Sequence, residues 1–412
     1  MKIGYIGSSL YRHTFEINEV VELLRQHPGT RVYSFYRRSD TESQSRVREI
    51  GSDIITWSAW RIIFGLLYLL FRHPKRLFSA GFRLGFLSLP NPYYWVKNTA
   101  TFFIALPFIG DACRNHVTHL HANFGSSPAT IAWLGKQILG TGMSITFHAF
   151  DIYSKTLSLR DPLKKRKLTD ADLVVAVHEH GLDQLKKLVP EVDSEKFRMI
   201  HISVVFDPRP KPDPLPQPPL FVAAGNLVPK KGFDVLVRAA GRLRREGKTV
   251  RLRILGEGPE RITLETLVRV QEMRELIELP GYYQHGELAH HLSQATGFVV
   301  PSKVVEGGQR DGIPTVLVEA WLSQTPVVAS LVGGMGEVLA DGETGLVFPS
   351  DDHAALAKCL LRLIESDALR STLVERGLHA AKTQFSPEVN VRALVDAISD
   401  VSRSRQEEDH VA

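Results

Sequence analysis

Short apolar runs recur along the chain, each closing on small residues and followed by a stretch with apolar positions at helical spacing. Lys2-Ile3-Gly4-Tyr5-Ile6 runs into Gly7-Ser8-Ser9, and Ile17, Val20, Val21 and Leu24 then mark one helix face. Further strands are expected at Arg31–Tyr36, at His119–Asn123 before a helix from about Pro128, at Ser144–Phe147, at Leu173–Val177 and at Arg198–Ile202. The second half repeats the rhythm. Leu220–Ala224 precedes a loop over Gly225–Gly232 and an amphipathic helix from Phe233 to about Glu246. Val250–Leu255, Gly297–Val300 and Val327–Ala329 follow as strands, ending at Gly256-Glu257-Gly258-Pro259, at Pro301-Ser302 and near Gly333-Gly334. Strand, glycine loop and helix in repeated succession predict α/β architecture with doubly wound parallel sheets.

Two departures from the rhythm organise the chain. Asp207–Pro219 holds seven prolines in thirteen residues, which no helix or central strand tolerates, so it reads as an extended, semi-rigid linker. The expected division is residues 1–206, the 207–219 linker, residues 220–385, and a 386–412 tail that is helical at first and then charged. At 412 residues the chain exceeds what one core usually organises, which agrees with two domains. The other departure is 57–110, rich in Trp, Phe, Leu, Ile and Tyr. It carries Arg61, Arg72, Lys75, Arg76, Arg83 and Lys97 but no Asp or Glu. Its apolar run Ile62–Phe71 is half of the roughly 20 residues that span a bilayer. Two readings stand: an interfacial segment whose cations meet lipid phosphates, or a buried helical hairpin with snorkelling side chains at its rim.

Composition narrows the class. Hydrophobic content of 43% and charged content of 23% are those of an ordinary globular protein. Two cysteines, Cys113 and Cys359, exclude a disulfide framework or a Cys-based metal site and suit a reducing, cytoplasmic setting. Met1–Leu10 reads as a strand and turn rather than a secretory leader. The net charge of +5 is uneven, residues 1–215 carrying 28 Lys and Arg against 19 Asp and Glu while the remainder is acidic. A basic half suggests a face toward an anionic partner.

The candidate chemistry sits where strands end, because ligands of open α/β sheets bind beyond the carboxyl ends of the strands. Gly225-Asn226-Leu227-Val228-Pro229-Lys230-Lys231-Gly232 can aim backbone N–H groups and a lysine at a diphosphate, or its lysines are solvated surface charges. Asp311 and Glu319 flank a loop and a helix start, suited to accepting hydrogen bonds from sugar and ribose hydroxyls, or to capping and surface roles. Gly333-Gly334-Met335-Gly336 offers free N–H groups. His119 and His121 share a strand face, without a third metal ligand at useful spacing. His148 ends a strand and is a candidate for the pocket, or a satisfied structural histidine.

Together these segments resemble the retaining glycosyltransferases of family 4. The resemblance rests on Pro301-Ser302, Asp311-Gly312-Ile313-Pro314 through Glu319-Ala320, Thr325-Pro326-Val327-Val328-Ala329, Gly333-Gly334 and Asp341-Gly342-Glu343-Thr344-Gly345-Leu346-Val347. His119-Leu120-His121-Ala122-Asn123-Phe124 and Phe147-His148-Ala149-Phe150-Asp151 are similar to a subgroup that builds bacterial exopolysaccharides and related glycans. The resemblance implies a GT-B fold of two facing Rossmann-like domains with a cleft between them, a nucleotide-diphosphate sugar donor, and no metal or other cofactor. By position it implies that Lys231 meets the donor diphosphate, that Glu319 holds the ribose, that Asp311 contacts the donor sugar and that His148 lines the sugar and acceptor pocket. Asn226, Gly312, Thr315, Val316, Gly333 and Gly334 complete the expected donor site, and Gly7, Ser8, His121 and Asp151 the acceptor site. A glycan or lipid-linked saccharide acceptor and a membrane surface along 57–110 are the further partners, without nucleic acid. Three residues depart from the family pattern: Asn226 replaces Arg, Asp311 replaces Glu, and Ser203 replaces Gly. The first two leave open a catalytically degenerate relative that binds a nucleotide or glycan as a scaffold, with Arg310 a substitute cation or a surface residue.

Overall fold

The structure, a computed structural model, describes residues 1–8, 10, 14–36, 46–153 and 161–411. It contains two compact units, one formed by Met1–Ser203 with Pro387–Ala412 and the other by Val204–Ser386.

The first unit runs β1 (Ile3–Gly7), α1 (Thr14–Gln26), β2 (Arg31–Ser34), β3 (Ile54–Ile55), α2 (Ala59–Arg72), α3 (Pro74–Ser88) and α4 (Pro92–Arg114). It continues β4 (His119–Asn123), α5 (Ser127–Leu139), β5 (Gly142–Phe147), α6 (Ala149–Tyr153), α7 (Lys164–Asp170), β6 (Leu173–Ala176), α8 (Glu179–Leu188) and β7 (Phe197–Met199). The strands pair in the order β3-β2-β1-β4-β5-β6-β7, and every pair is parallel. Every residue of β1, β4, β5 and β6 is buried, as strands covered on both faces require.

The acid-free segment is three helices rather than a hairpin. Prolines and caps set its breaks: Ser58 Oγ accepts from Arg61 N–H at the start of α2, Pro74 opens α3, and Asn91 with Pro92 opens α4. A Cβ on Gly65 would stand 2.7 Å from the Leu106 main chain, so glycine lets α2 lie directly on α4. Leu69, Leu77, Ala80, Leu84, Leu106 and Ile109 carry the packed faces of these helices into the core. Their other faces expose large apolar side chains.

The second unit runs β8 (Leu220–Ala224), α9 (Phe233–Arg245), β9 (Arg251–Leu255), α10 (Arg261–Val270), β10 (Ile277–Gly281), α11 (His285–Ser293) and β11 (Gly297–Val300). Then come α12 (Thr315–Leu322), β12 (Val327–Ser330), α13 (Met335–Val338), β13 (Leu346–Phe348), α14 (His353–Glu365) and α15 (Asp367–Gln384). Its parallel sheet is ordered β10-β9-β8-β11-β12-β13. Strands β3, β10 and β13, absent from the sequence reading, all lie at sheet edges. An edge strand pairs on one side only, so short or polar runs, even one with Pro280, suffice there. The proline-rich stretch is anchored to this unit. Lys211 Nζ donates to Leu292 O, Ala295 O and Thr325 Oγ1, each at 3.1 Å, and burial pulls its pKa down to about 8.

The last helix, α16 (Pro387–Val411), returns to the first unit. Val391, Leu394, Val395 and Ile398 pack with Ile17, Val20, Val21 and Leu24 of α1. It is helical through Val411, beyond the initial turns expected of a charged tail.

Candidate active site

In the second unit, β8 leads to β9 on one side of the sheet and has β11 on the other, so their carboxyl ends form a topological switch point. The loops leaving β8, β11 and β12 meet there through glycine. Gly232 has φ +63°, and a Cβ on it would stand 1.9 Å from Pro301 O; Gly333 has φ +64°, and a Cβ there would stand 1.9 Å from Asp311 O. Only a residue without a side chain lets these backbones approach.

The approach gathers charge. Lys231 Nζ lies 2.8 Å from Asp311 Oδ2, Lys230 Nζ lies 3.0 Å from Oδ1, and Ser302 Oγ donates to Oδ2 at 2.7 Å. Burial alone would raise the Asp311 carboxyl, but the two ammonium groups and the hydroxyl outweigh it and hold it at about 2. Two cations thus face one anion, leaving a net positive charge at the mouth of the β8 loop. Lys230, left open as a surface charge in the sequence, is half of this clamp; its partner is 81 positions away, so local sequence carries no signal for it.

Glu319, in the second turn of α12, is 3% exposed, and burial pushes its carboxyl up to about 7. Tyr283, whose own pKa rises through burial and then through the Glu319 charge, lies near it. Gly312 is buried while Thr315 and Val316 are half-buried at the α12 start, and Gly334 precedes α13. Asn226 is exposed. Arg310 Nε donates to Gly308 O at 3.2 Å.

In the first unit, a cavity of about 250 Å³ lies beyond the carboxyl ends of β1, β4 and β5. Ser8, Tyr36, Tyr93, Lys97, Phe150 and Asp151 are among its lining residues. Ser8 N–H donates to Glu16 Oε1 at 3.0 Å, and Gly7 packs on Leu10. Burial pushes the Asp151 carboxyl up to about 6, against hydrogen bonds from the Gly125 and His148 N–H groups and the charges of Lys164 and Lys167. Lys164, also lining the cavity, donates to Asp151 O at 2.9 Å and is pulled down to about 8 by burial. Tyr93 and Lys97 come from α4, Phe150 from α6 and Lys164 from α7, while Tyr36 follows β2; no motif marked Tyr93, Lys97 or Lys164.

His148, directly after β5, is 7% exposed, its ring 4.3 Å from that of Phe124 and 4.9 Å from that of Phe15. Its Nε2 meets Asn123 Oδ1, and because a carbonyl oxygen only accepts, that nitrogen carries the proton. Asn123 Nδ2 reaches the Tyr5 hydroxyl and, at 3.3 Å, Glu19 Oε1, whose pKa burial pushes up to about 7. A buried polar chain therefore backs His148. His121 is elsewhere. Expected among acceptor contacts, it is fully buried in mid-strand, Nδ1 2.8 Å from Ser144 Oγ and Nε2 3.4 Å from Thr146 Oγ1. His119 shares Ser144 through Nε2 at 2.8 Å. Burial lowers both imidazoles, to about 3 for His121 and about 4 for His119, so both are neutral core residues.

Residues 207–380 match the model of the family described as glycosyl transferases group 1, spanning the whole lysine–carboxylate cluster. The chain carries a group 1 glycosyltransferase domain. It is 29% identical over 300 residues, 72% of each chain, to WcaL of Escherichia coli K12, assigned as a colanic acid biosynthesis glycosyltransferase. It is 26% identical over 306 residues to the GDP-mannose-dependent alpha-(1-6)-phosphatidylinositol monomannoside mannosyltransferase of Mycolicibacterium smegmatis, covering 69% of this chain and 77% of that one. In fold, the glycosyltransferase superposes on Anabaena HepE, solved in complex with UDP, with a TM-score of 0.71 at 14% identity, covering 97% of this chain and 100% of that one. Both units are Rossmann-like and the fold class is GT-B.

Proposed function

We propose that this glycosyltransferase moves a sugar, with retention and without a metal, from a nucleotide-diphosphate donor to a glycan or lipid-linked saccharide in polysaccharide or glycoconjugate synthesis. The carrying observation is the clamp of Lys230, Lys231, Ser302 and Asp311 at the switch point of the second unit, with buried Glu319 on the helix that follows Asp311. Breaking a sugar–phosphate bond adds negative charge to the departing diphosphate and leaves oxocarbenium character on the sugar. Lys231 and Lys230, held in place by Asp311, supply the positive charge that stabilises the departing diphosphate. Glu319, once ionised, accepts from ribose hydroxyls. Asp311 bridges the two lysines and offers its carboxylate to the donor sugar. On the first unit the aromatic walls and Asp151 suit a sugar ring, and the donor phosphate oxygen takes the acceptor proton in a same-face attack. The names of relatives support the reading: WcaL points to polysaccharide assembly, the mannosyltransferase to a lipid-borne acceptor, and HepE to a uridine nucleotide. A cytoplasmic location, with access to nucleotide sugars, belongs to the same reading.

The test is thermal stabilisation by UDP-, GDP-, ADP- and dTDP-sugars, followed by transfer assays with the donor that binds. A donor at a hundredfold excess over its Kd stabilises by about 2.7 kcal/mol. One donor should shift the native protein but not a Lys231→Ala, Glu319→Ala double variant that keeps its fold. A shift retained by the variant would move the donor site elsewhere; no shift from any donor would favour a scaffold without transferase activity.

A further inference from the structure

Three helices of the first unit turn apolar side chains outward at helical spacing. On α2, Trp60, Phe64, Leu67 and Phe71 are 71%, 65%, 58% and 89% exposed. On α3, Phe78, Phe82 and Phe86 are 69%, 74% and 63% exposed and recur every four residues, while Leu77, Ala80 and Leu84 bury the opposite side. On α4, Tyr93, Trp95, Val96 and Phe103 are exposed as well. An ordinary surface helix puts its polar side here, and an outward patch of this size marks a binding face.

We infer that this face docks on an anionic lipid bilayer, α2 and α3 lying in the interface with their aromatic rings among the acyl chains. Charge selects the occupant. Residues 57–110 hold no Asp or Glu, and Arg61, Arg72, Lys75, Arg76 and Arg83 are all exposed there. Among the described residues none of the five pairs with a carboxylate; the polar partners are Thr56 O for Arg61 and Gln137 Oε1 for Arg83. At 100° per residue Lys75 shares the side of Phe78, Phe82 and Phe86, while Arg76 and Arg83 flank it. Cations beside aromatic rings match a headgroup layer, where phosphates meet the former and the acyl boundary takes the latter. A second copy of the chain would bring these cations against one another without a compensating acid from the segment. No helix among the described residues is long and apolar enough to cross a membrane, so the contact is interfacial.

The face also adjoins the cavity described above. Tyr93 and Lys97 of α4 line the cavity, whereas Trp95 and Val96 of the same turns are exposed. Docking thus sets the cavity beside the lipid headgroups, the direction from which a lipid-linked saccharide arrives. That last link rests on the proposed transferase function; the docking does not.

Vesicle co-sedimentation of the full chain decides it, with phosphatidylcholine vesicles containing or lacking 30% phosphatidylglycerol. The native protein should bind the anionic vesicles at least tenfold more tightly than the neutral ones. The F78S, F82S, F86S triple variant should lose at least tenfold of that binding with an unchanged melting curve and unchanged stabilisation by the donor nucleotide. An R76Q, R83Q variant should weaken binding to anionic vesicles alone. Equal sedimentation of the native protein and the aromatic variant, or no binding to anionic vesicles, overturns the inference. A native dimer in light scattering that the aromatic variant abolishes would assign the face to a second copy instead. Because donor stabilisation is read separately, loss of the transferase reading and loss of docking give different results.

Discussion

Asp311→Asn separates what the clamp does for folding from what it does for ligand. The Asp311 carboxyl sits at about 2 instead of its ordinary 3.8. At 1.36 kcal/mol per unit, this corresponds to about 2 kcal/mol of stability at neutral pH. A depressed carboxyl gives stability that is present above the unfolded value of 3.8 and is lost as pH falls from there through about 2. The amide keeps shape but not charge, so the transition of the second unit should fall by about 4–8 °C at pH 7, taking about 2–4 °C per kcal/mol for a domain of this size. The deficit should be as large at pH 5 and narrow at pH 3. The same change frees Lys230 and Lys231, which are 33% and 17% exposed. After solvent screening one relieved charge is worth roughly 0.5–1 kcal/mol, so the nucleoside diphosphate identified by the donor panel should bind about 2- to 5-fold more tightly while sugar transfer slows. Calorimetry of unfolding and of nucleotide binding, on one preparation, reads both. A variant that melts like the native protein removes the stabilising ion pair from the account. A folded variant that no longer binds nucleotide would show that the carboxylate, and not the lysines, holds the ligand.

Two further outcomes follow from the same geometry. Glu319, raised from 4.5 to about 7, favours folding below pH 4.5 and loses that contribution, about 3 kcal/mol, as pH rises through about 7. Glu319→Gln should therefore stabilise the ligand-free protein at pH 8 and abolish a pH-dependent gain in nucleotide affinity that the native protein shows near pH 7; parallel pH profiles for the two proteins would refute the assignment. Gly232→Ala forces a side chain into a left-handed backbone and against Pro301 O. The strain costs about 1–2 kcal/mol before the collision is counted, so chemical denaturation should show a loss above 2 kcal/mol, and an unchanged midpoint would deny the close approach of the β8 and β11 loops.

The central strands were legible because burial on both faces makes them continuous apolar runs, as at Leu220–Ala224 and Ile3–Gly7. Edge strands were not, since Ile277–Gly281 carries Glu278 and Pro280 and is recognised only through its pairing with β9. The 57–110 segment shows a different limit. Its helices carry large apolar residues on the exposed side as well as on the packed one, so periodicity cannot say which side packs; the contact of Gly65 with the Leu106 main chain decides it for α2. The glycine loops pointed to the lysine–carboxylate cluster, yet a lysine that neutralises a distant Asp reads locally like a solvated one. His121 illustrates the reverse, because a parallel strand buries both its faces and a histidine there can satisfy itself entirely on Ser144 and Thr146.

The return of α16 to the first unit has a consequence for biogenesis. Pro387–Ala412 belongs with Met1–Ser203, so the first unit is discontinuous and the second is spliced into it. The face of α1 that receives Val391, Leu394, Val395 and Ile398 emerges from the ribosome roughly 360 residues before its cover does. At about 5–20 residues per second, the nascent first unit waits tens of seconds with that strip bare while the second unit is being made and completed ahead of it. The order of assembly is therefore inverted relative to the order of synthesis: the middle of the chain matures first and the beginning last. A chain truncated after Ser386 would present chaperones with a complete second unit and an unsealed first one.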